Sequence, residues 1–469
     1  MIALVAAVGL AGPPGFGAAD ARARSLEAIQ ASGSLVVLTR NAPTTWYIGR
    51  EDRPTGPEYE LVEAFADYLG VEAEYVLKDT VDQILVAIER GEADLAAAGL
   101  TITRERRQRY RFGPPYQSVT QQVVCRRGGP QPEDLRELAE LRIAVIANSS
   151  YAELLRSLEL EGYRTPEWTA LEGVTTEELL RRVWERKLPC TVADSTIVDI
   201  NRRYFPELVT PMRLSREQQL GWVMPGESRD LDAAVTRWLH GFRNSGRLET
   251  LQEKYYGFFE KFDYVDTRRM MRRVNERLPR YLDWFRDASA DHGFSWTLLA
   301  AQGYQESHWN PRAESPTGVR GIMMLTRNTA EALGVTNRLD PRQSIYGGAH
   351  YLARMKDRFA DRVVEPDRTW LALAAYNVGR AHMHDAQILA RRKGLSPYHW
   401  RDIKRVLPLL ASPEYYRKLK YGYARGHEPV RYVQRIREYH HILSSAVKPP
   451  MAAYDWGLMP VLANTDDRR

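Results

Sequence analysis

Cysteine is scarce in this chain of 469 residues, which contains only Cys125 and Cys190. Neither has a cysteine or histidine partner at the short spacing of a zinc site, so we expect no metal centre built on them. The two thiols could pair in an oxidising compartment, but sequence does not show whether they lie close enough. We expect two separate small apolar residues.

Long apolar runs are also missing. The run Ile2–Gly12 is too short to span a bilayer, and small residues follow it around Ala18–Ala21, as in a secretory signal. No lysine or arginine precedes Arg22, so the true start could lie upstream. We therefore expect residues 1–22 to be an export segment, with no lipid-anchored cysteine after it.

No nucleic-acid-binding module and no low-complexity segment is visible. The formal net charge of +6 favours acidic partners, but it equally fits an arginine-rich surface. Basic runs such as Arg104–Arg111 and Arg268–Arg273 suit solvated helix faces. Nucleic acid is therefore not an expected partner.

The first half of the sequence alternates strands and helices. Val71–Leu77 has the period-two pattern of a strand, and a helix at Val81–Arg90 precedes another strand at Asp94–Gly99. The pattern restarts at Arg142–Ala147. It predicts an α/β domain of two lobes over residues 33–258, with largely parallel sheets and a ligand crevice between the lobes.

Beyond about Phe262 the strand patterns nearly vanish and amphipathic helical segments dominate. This change predicts an all-α domain over residues 266–446. The last residues, 447–469, include the adjacent prolines Pro449 and Pro450 and show no periodicity. We expect them to form a loose tail.

One carboxyl group lies on the inward face of a predicted helix. Trp296, Leu299, Gly303 and Glu306 follow one another at spacings of three, four and three, and Pro311 ends the helix. Burial favours the neutral acid and raises the pKa of such a carboxyl group. A protonated Glu306 could then donate to a leaving glycosidic oxygen. The alternative interpretation is a buried glutamate in a core hydrogen bond.

Four motifs occur in order at Gln305–Pro311, Gly318–Leu325, Ala374–Gly379 and Glu428–Val433. Together they resemble the lysozyme-like domain of the soluble lytic transglycosylase family. That family has Glu-Ser, Gly-(Leu/Ile)-Met-Gln, Ala-Tyr-Asn-x-Gly and a late tyrosine. The resemblance implies a lysozyme-like fold in which Glu306 is the single catalytic acid/base.

The same resemblance implies a set of substrate-binding residues. They are Ser315 near the N-acetylmuramyl sugar, Met323 and Met324 of the glycine-rich motif, Tyr376 and Asn377 along the cleft, and Tyr432 on the catalytic carboxyl group. Met324 stands where many members have glutamine, which puts a direct sugar contact at that position in doubt.

The chemistry that the resemblance implies uses one carboxyl group where most glycosidases use two. The N-acetyl carbonyl of the muramyl sugar would stabilise the anomeric carbon, and Glu306 would take the proton of the 6-hydroxyl group. A 1,6-anhydromuramyl end would result, without water, metal or cofactor. A hydrolytic goose-type lysozyme shares the fold and the single glutamate. A solute receptor with an inactive glycan-binding domain is the alternative outside enzymes.

Four stretches of the first half resemble the family 3 solute-binding proteins of amino-acid uptake: Gly56–Leu61, Asp94–Arg106, Phe112–Tyr116 and Gly246–Gly257. The resemblance implies the two-lobed periplasmic-binding-protein fold and a set of ligand contacts. In that set Arg106 holds an α-carboxylate with Thr101, Ser149 and Ser150, Asp194 takes the α-ammonium, and Trp46 covers the side chain. Asn148 departs from the glycine that is usual in the family.

Fusion to an enzyme argues against a transport shuttle. We expect the module to sense amino acids or cell-wall peptides, and its closure to bias access to the Glu306 cleft. The expected substrate is the glycan strand of peptidoglycan. The resemblance further implies a periplasmic protein attached peripherally to the outer membrane.

Overall fold

The computed structural model describes residues 23–48, 53–259, 263–315 and 318–447. The predicted export segment, 1–22, lies outside these residues, and so does the predicted tail apart from Val447. The helices of the N-terminal domain are α1 Leu26–Ser32, α2 Pro57–Leu69, α3 Val81–Glu89, α4 Arg104–Arg109, α5 Leu135–Leu138, α6 Ser150–Leu160, α7 Thr176–Trp184, α8 Ser195–Asn201, α9 Arg229–Asn244 and α10 Arg247–Tyr256. Its strands are β1 Ser34–Thr39, β2 Tyr47–Ile48, β3 Pro54–Thr55, β4 Glu72–Leu77, β5 Leu95–Ala96, β6 Arg111–Phe112, β7 Gln117–Arg126, β8 Arg142–Ile146, β9 Glu167–Leu171, β10 Cys190–Asp194, β11 Leu208–Leu220 and β12 Val223–Met224.

Each lobe of this domain contains one five-stranded sheet. The strand order is β4-β1-β5-β12-β6 in the first lobe and β11-β7-β10-β8-β9 in the second. The pairs β1–β4, β1–β5, β8–β9 and β8–β10 are parallel, whereas β7 and β12 run antiparallel to their neighbours. The two-lobed α/β fold is confirmed, but the sheets are mixed where we expected largely parallel ones. The reason is that β7, which carries the chain into the second lobe, runs antiparallel to both β10 and β11 there, and β12, on which the chain returns to the first lobe, runs antiparallel to both β5 and β6.

The two cysteines form a disulfide, so the expectation of two separate residues was wrong. Cys125 on β7 and Cys190 on β10 face each other in the antiparallel register, with Cα atoms 4.3 Å apart. Both side chains are fully buried. Sequence could not predict this pair because the two cysteines are 65 positions apart, and sequence does not give the strand register that brings them together.

The described residues from 263 onwards form helices and no strand, which confirms the all-α prediction. These helices are α11 Tyr264–Glu276, α12 Leu282–His292, α13 Trp296–Ser307, α14 Arg327–Ala332, α15 Pro341–Lys356, α16 Asp367–Val378, α17 Arg380–Arg392, α18 Trp400–Val406, α19 Pro413–Tyr416 and α20 His427–Val447, with 3₁₀ turns at Leu278–Arg280 and Leu407–Ala411. In the described part of the chain, no helix combines the length and apolar character needed to cross a membrane.

Helix α13 is the central helix of this domain. It packs against α12, α15 and α20, and every residue from Thr297 to Tyr304 is buried. Gly303 lets the neighbouring elements approach, since a Cβ atom there would lie 3.0 Å from the ring of Phe285 and 3.2 Å from Ile322. The buried helix therefore carries its last turn, and the residues after it, to a fixed place in the domain.

The two domains contact each other through α10 and α20. Arg437 of α20, whose side chain is 3% exposed, donates to the carboxylate of Glu253 on α10 and to the carbonyl oxygen of the same residue. The next residue, Glu438, accepts from Arg203 of the second lobe at 2.9 Å. Lys404 adds a second cation to Glu253 at 2.7 Å. Helix α20 thus joins the core of the helical domain to both the last helix and the second lobe of the α/β domain.

Candidate active site

Glu306 lies on the last turn of α13, where the chain reverses sharply. Ser295 caps the start of the helix by accepting from the backbone N–H of Leu298. The helix ends at Ser307, and the next residues, His308 and Trp309, both adopt the left-handed conformation. The indole Nε1 of Trp309 donates to Ala300 O at 2.8 Å, and this bond folds the reversed segment back onto the helix. Glu306 is therefore positioned by a turn that the core holds in place.

The carboxyl group of Glu306 is half-buried, between the core and the surface. Burial raises its pKa to about 8, and a hydrogen bond from Tyr432 opposes part of that shift. In this bond Tyr432 Oη donates to Glu306 Oε1 at 2.5 Å. At neutral pH the group is an acid that still holds its proton and remains partly accessible. That is the state a general acid requires before a glycosidic bond breaks.

The pKa of Glu306 predicts how activity depends on pH. If Glu306 is the general acid, turnover should be present below pH 8, where the group is protonated, and should fall about tenfold per pH unit above it. The measurement is a profile of kcat against pH with a soluble glycan fragment. Because the hydrogen bond from Tyr432 lowers the pKa of Glu306, the alkaline limb should move to higher pH in Tyr432→Phe. An alkaline limb that stays in place in this variant would contradict the assignment of the limb to Glu306.

Tyr376 lies close to the same carboxyl group. Its hydroxyl group donates to Met323 O at 2.7 Å, and its ring packs edge-on against Tyr351. Burial, and next the charge of Glu306, raise the pKa of Tyr376 well above its usual range. Both tyrosines predicted from the motifs, Tyr376 and Tyr432, are therefore brought to Glu306.

The other predicted substrate residues fall in different surroundings. Ser315 is half-buried in a loop, where its Oγ accepts from Val319 N. Met323 is fully buried, and its side chain packs so closely on Gly348 that a Cβ atom there would lie 2.5 Å away. Met324 is half-buried with a positive φ of 46°, and Asn377 is exposed. The structure thus leaves Met324 and Asn377 accessible, whereas the Met323 side chain lies in the core.

Sequence reasoning missed one residue of this site, Gln302. It is fully buried on α13 and its Nε2 donates to Tyr432 Oη at 3.3 Å. A signal was available, because Gln302 is the one amide within the apolar stretch Leu298–Gly303. The partner, Tyr432, is 130 residues away in sequence and could not be inferred from that stretch.

A second site lies between the two lobes of the α/β domain, where the predicted carboxylate-binding residues bond to protein groups. Arg106 Nε donates to Glu153 Oε1 at 2.8 Å, and Ser150 Oγ donates to Thr101 Oγ1 at 3.2 Å. Ser149 caps α6 by accepting from Ala152 N. Two of these contacts join the lobes directly. Glu153 was not predicted, because its partner comes from the other lobe.

The predicted ammonium-binding residue, Asp194, ends β10 in the same region. Burial raises its pKa to about 7, against the lowering effect of Tyr151, Arg40 and Arg106. Its Oδ1 atom is buried without a hydrogen-bond partner among the described residues, and the same holds for Trp46 Nε1. Buried polar atoms usually have a hydrogen-bond partner. These two atoms therefore mark positions where a ligand's donor and acceptor groups would fit.

Two further acids of the second lobe also have a buried oxygen atom without a hydrogen-bond partner among the described residues. Glu177, which lies 3.9 Å from Arg40, and Glu153 each have one carboxylate oxygen that is buried without a hydrogen-bond partner in the described part of the chain. Within residues 23–48, 53–259, 263–315 and 318–447, no cluster of three or more histidine, cysteine or acidic side chains could hold a metal ion. The crevice is therefore rich in acceptors for a ligand that donates hydrogen bonds.

The comparisons with known proteins agree with both halves of the structure. The model for bacterial extracellular solute-binding proteins, family 3, matches residues 35–258, and the model for the transglycosylase SLT domain matches residues 283–397. Among solved structures, an ancestral arginine-binding protein covers 48% of this chain and 98% of its own, with 20% identity and a TM-score of 0.43. The two family models thus describe a solute-binding module followed by a transglycosylase domain.

Full-length relatives show the same combination. The membrane-bound lytic murein transglycosylase F 1 of Alkalilimnicola ehrlichii is 48% identical over 90% of this chain and 86% of its own length. The membrane-bound lytic murein transglycosylase F of Maricaulis maris is 45% identical over 90% of this chain and 92% of its own length. The protein of the same name from Pseudomonas syringae pv. tomato is 43% identical over 93% of this chain and 88% of its own length. The chain belongs to the membrane-bound lytic murein transglycosylase F family.

Proposed function

We propose that the helical domain cleaves the β-1,4 bond between N-acetylmuramic acid and N-acetylglucosamine in peptidoglycan without using water. The observation that carries this proposal is the single half-buried carboxyl group of Glu306, protonated near neutral pH and bonded to Tyr432. The names of the relatives support the substrate, since they are murein transglycosylases.

The proposed reaction uses Glu306 twice. The acid first donates its proton to the glycosidic oxygen, and the bond to the anomeric carbon breaks. The N-acetyl carbonyl oxygen of the muramyl sugar stabilises the positive charge on that carbon. Glu306, now a carboxylate, removes the proton of the 6-hydroxyl group, whose oxygen closes the 1,6-anhydro ring. Glu306 is then protonated again, so the cycle balances without water.

Digestion of purified peptidoglycan sacculi, followed by mass spectrometry, tests this proposal. Anhydromuramyl ends, lighter by one water than reducing ends, are the expected products. Reducing ends would identify a goose-type lysozyme instead. No products from the folded protein would favour a receptor with an inactive glycan-binding domain.

The crevice of the α/β domain is proposed to sense an amino acid or a cell-wall peptide. Buried acceptor atoms on Asp194, Glu177 and Glu153 have no partner in the described residues, and Arg106 is already paired with Glu153. This arrangement favours a ligand that presents an amine to Asp194. We also propose that the protein works in the periplasm, attached peripherally to the outer membrane, because its relatives are named membrane-bound.

Ligand binding in the crevice should depend on Asp194. Isothermal calorimetry with free L-amino acids and with peptidoglycan stem peptides is the measurement. Asp194→Asn should weaken binding by tenfold or more, since a hydrogen bond to a charged group contributes about 1.5–3 kcal/mol. The control is Glu161→Gln, which removes an exposed acid of the same lobe and should bind as the wild type does. Absence of binding to the folded wild type would rule out the sensor.

We propose that the sensor acts on the active site through α20. Tyr432 on this helix bonds to Glu306, and five residues later Arg437 and Glu438 bond to the α/β domain. A lobe movement that displaces Glu253 or Arg203 would therefore act on the helix that holds Tyr432. For regulation, the ligand must bind the two arrangements with different affinity.

A further inference from the structure

Gln302 and Tyr432 form a chain of hydrogen bonds that ends on Glu306. The Nε2 atom of Gln302 donates to Tyr432 Oη at 3.3 Å, and Tyr432 Oη donates to Glu306 Oε1 at 2.5 Å. Gln302 and Glu306 lie one helical turn apart on α13, while Tyr432 comes from α20. Gln302 is fully buried and Tyr432 is 5% exposed, so solvent competes little with the first bond.

Packing alone does not explain a glutamine at position 302. Its Oε1 atom is buried and has no hydrogen-bond partner among the described residues. Leaving such an oxygen without a partner destabilises the folded state. Methionine has nearly the same length and would avoid this cost among the apolar neighbours Leu298, Leu299 and Ala301. The feature that only the amide supplies is the donated hydrogen bond to Tyr432.

This bond determines where the single hydrogen of the Tyr432 hydroxyl group points. An N–H that donates into the phenol oxygen occupies one of its lone pairs, and the hydroxyl hydrogen then points to the other side. On that side lies Glu306 Oε1. Oε1 therefore remains an acceptor in both protonation states of the carboxyl group, and the exchangeable proton is left to Oε2.

We propose that Gln302 is a positioning residue for the transglycosylase reaction. By directing the Tyr432 hydroxyl group to Oε1 of Glu306, it keeps the acid proton of Glu306 on Oε2. This inference rests on the proposed catalytic role of Glu306. Gln302 itself touches no substrate. It acts through Tyr432, so its effect should exist only when the tyrosine hydroxyl group is present.

A double-mutant cycle with Gln302→Met and Tyr432→Phe tests this proposal. In the wild-type background, Gln302→Met should lower kcat about fivefold, the equivalent of one hydrogen bond, with KM unchanged. The alkaline limb of the pH profile should move to higher pH, because Glu306 loses part of its donor. In the Tyr432→Phe background the same substitution should cause no further loss. The melting temperature should stay constant or rise, since an unsatisfied oxygen is removed.

Two outcomes would overturn the proposal. An equal loss in both backgrounds would show that Gln302 acts through core packing, and unchanged kcat and pH profile in the wild-type background would show that it has no role. Neither outcome bears on Glu306 itself. The Glu306→Gln variant, measured in parallel, separates the two questions, because full activity there would contradict the proposed mechanism whatever Gln302 does.

Discussion

Replacement of Glu306 by glutamine is expected to lower turnover on peptidoglycan by about a thousandfold or more while the fold remains intact. The carboxamide has the same shape and can still accept the hydrogen bond from Tyr432, but it cannot donate a proton to the leaving oxygen or recover one from the 6-hydroxyl group. General acid–base catalysis contributes about 10²–10⁴-fold, and in the proposed mechanism one group performs both transfers.

At alkaline pH the Glu306→Gln substitution, which lowers activity, should raise stability relative to the wild type. The folded protein raises the pKa of Glu306 to about 8, from an ordinary value of 4.5. The folded state thus favours the protonated form, and wild-type stability falls as pH rises from about 4.5 to 8. Glutamine does not titrate, so the melting temperature of Glu306→Gln relative to the wild type should be higher at pH 9 than at pH 4.

Release of anhydromuramyl fragments from sacculi, quantified by mass spectrometry, is the measurement for this variant. Glu314→Gln is the matched comparison, since Glu314 is a nearby carboxylate that is 52% exposed and paired with Arg320. It should retain activity. Glu306→Gln within tenfold of the wild type would refute the single-acid mechanism, and an equal loss in Glu314→Gln would indicate a glycosidase with two carboxylates.

The position of Glu306 could be predicted only in part from sequence patterns. The motif around it singled out Glu306 as the predicted acid, but helical spacing could not show which face of α13 opens to a cleft. The reason is that α13 is buried continuously from Thr297 to Tyr304, so the helix lacks the polar face on which such arguments depend. The structure shows that Glu306, on the last turn, is half-buried and contacts Tyr432 of α20.

The remaining features that sequence did not reveal are contacts between distant residues. The sequence singled out Arg106 as a ligand-binding residue, but it did not reveal its partner Glu153, which belongs to the other lobe. The predicted ligand set described each residue alone, whereas in the structure Thr101 and Ser150 bond to each other. Local patterns predict the strands and helices that carry such residues, and only the packing of those elements determines which side chains meet.

The disulfide is the largest contribution to stability that could not be predicted from the sequence. Removing Cys125–Cys190 is expected to lower the free energy of unfolding of the second lobe by about 4 kcal/mol, because the cross-link closes a long loop in the unfolded chain. Reduction by dithiothreitol, followed by urea unfolding, is the measurement. The double variant Cys125→Ala and Cys190→Ala is the control, since it should unfold at the lower concentration whether or not dithiothreitol is present. Equal midpoints for the oxidised and reduced wild type would contradict this expectation.

The same bond should affect ligand binding more than catalysis. Strand β10 runs from Cys190 to Asp194 and pairs with β7 along its whole length, from Cys125 to Gln121. The disulfide therefore fixes one end of the ladder that holds the proposed ammonium-binding carboxylate at the other end. Glu306, by contrast, is positioned by α13 and α20 within the helical domain. Reduced protein should lose affinity for its ligand while it still releases anhydromuramyl products, and loss of both together would mean that the helical domain depends on the second lobe to fold.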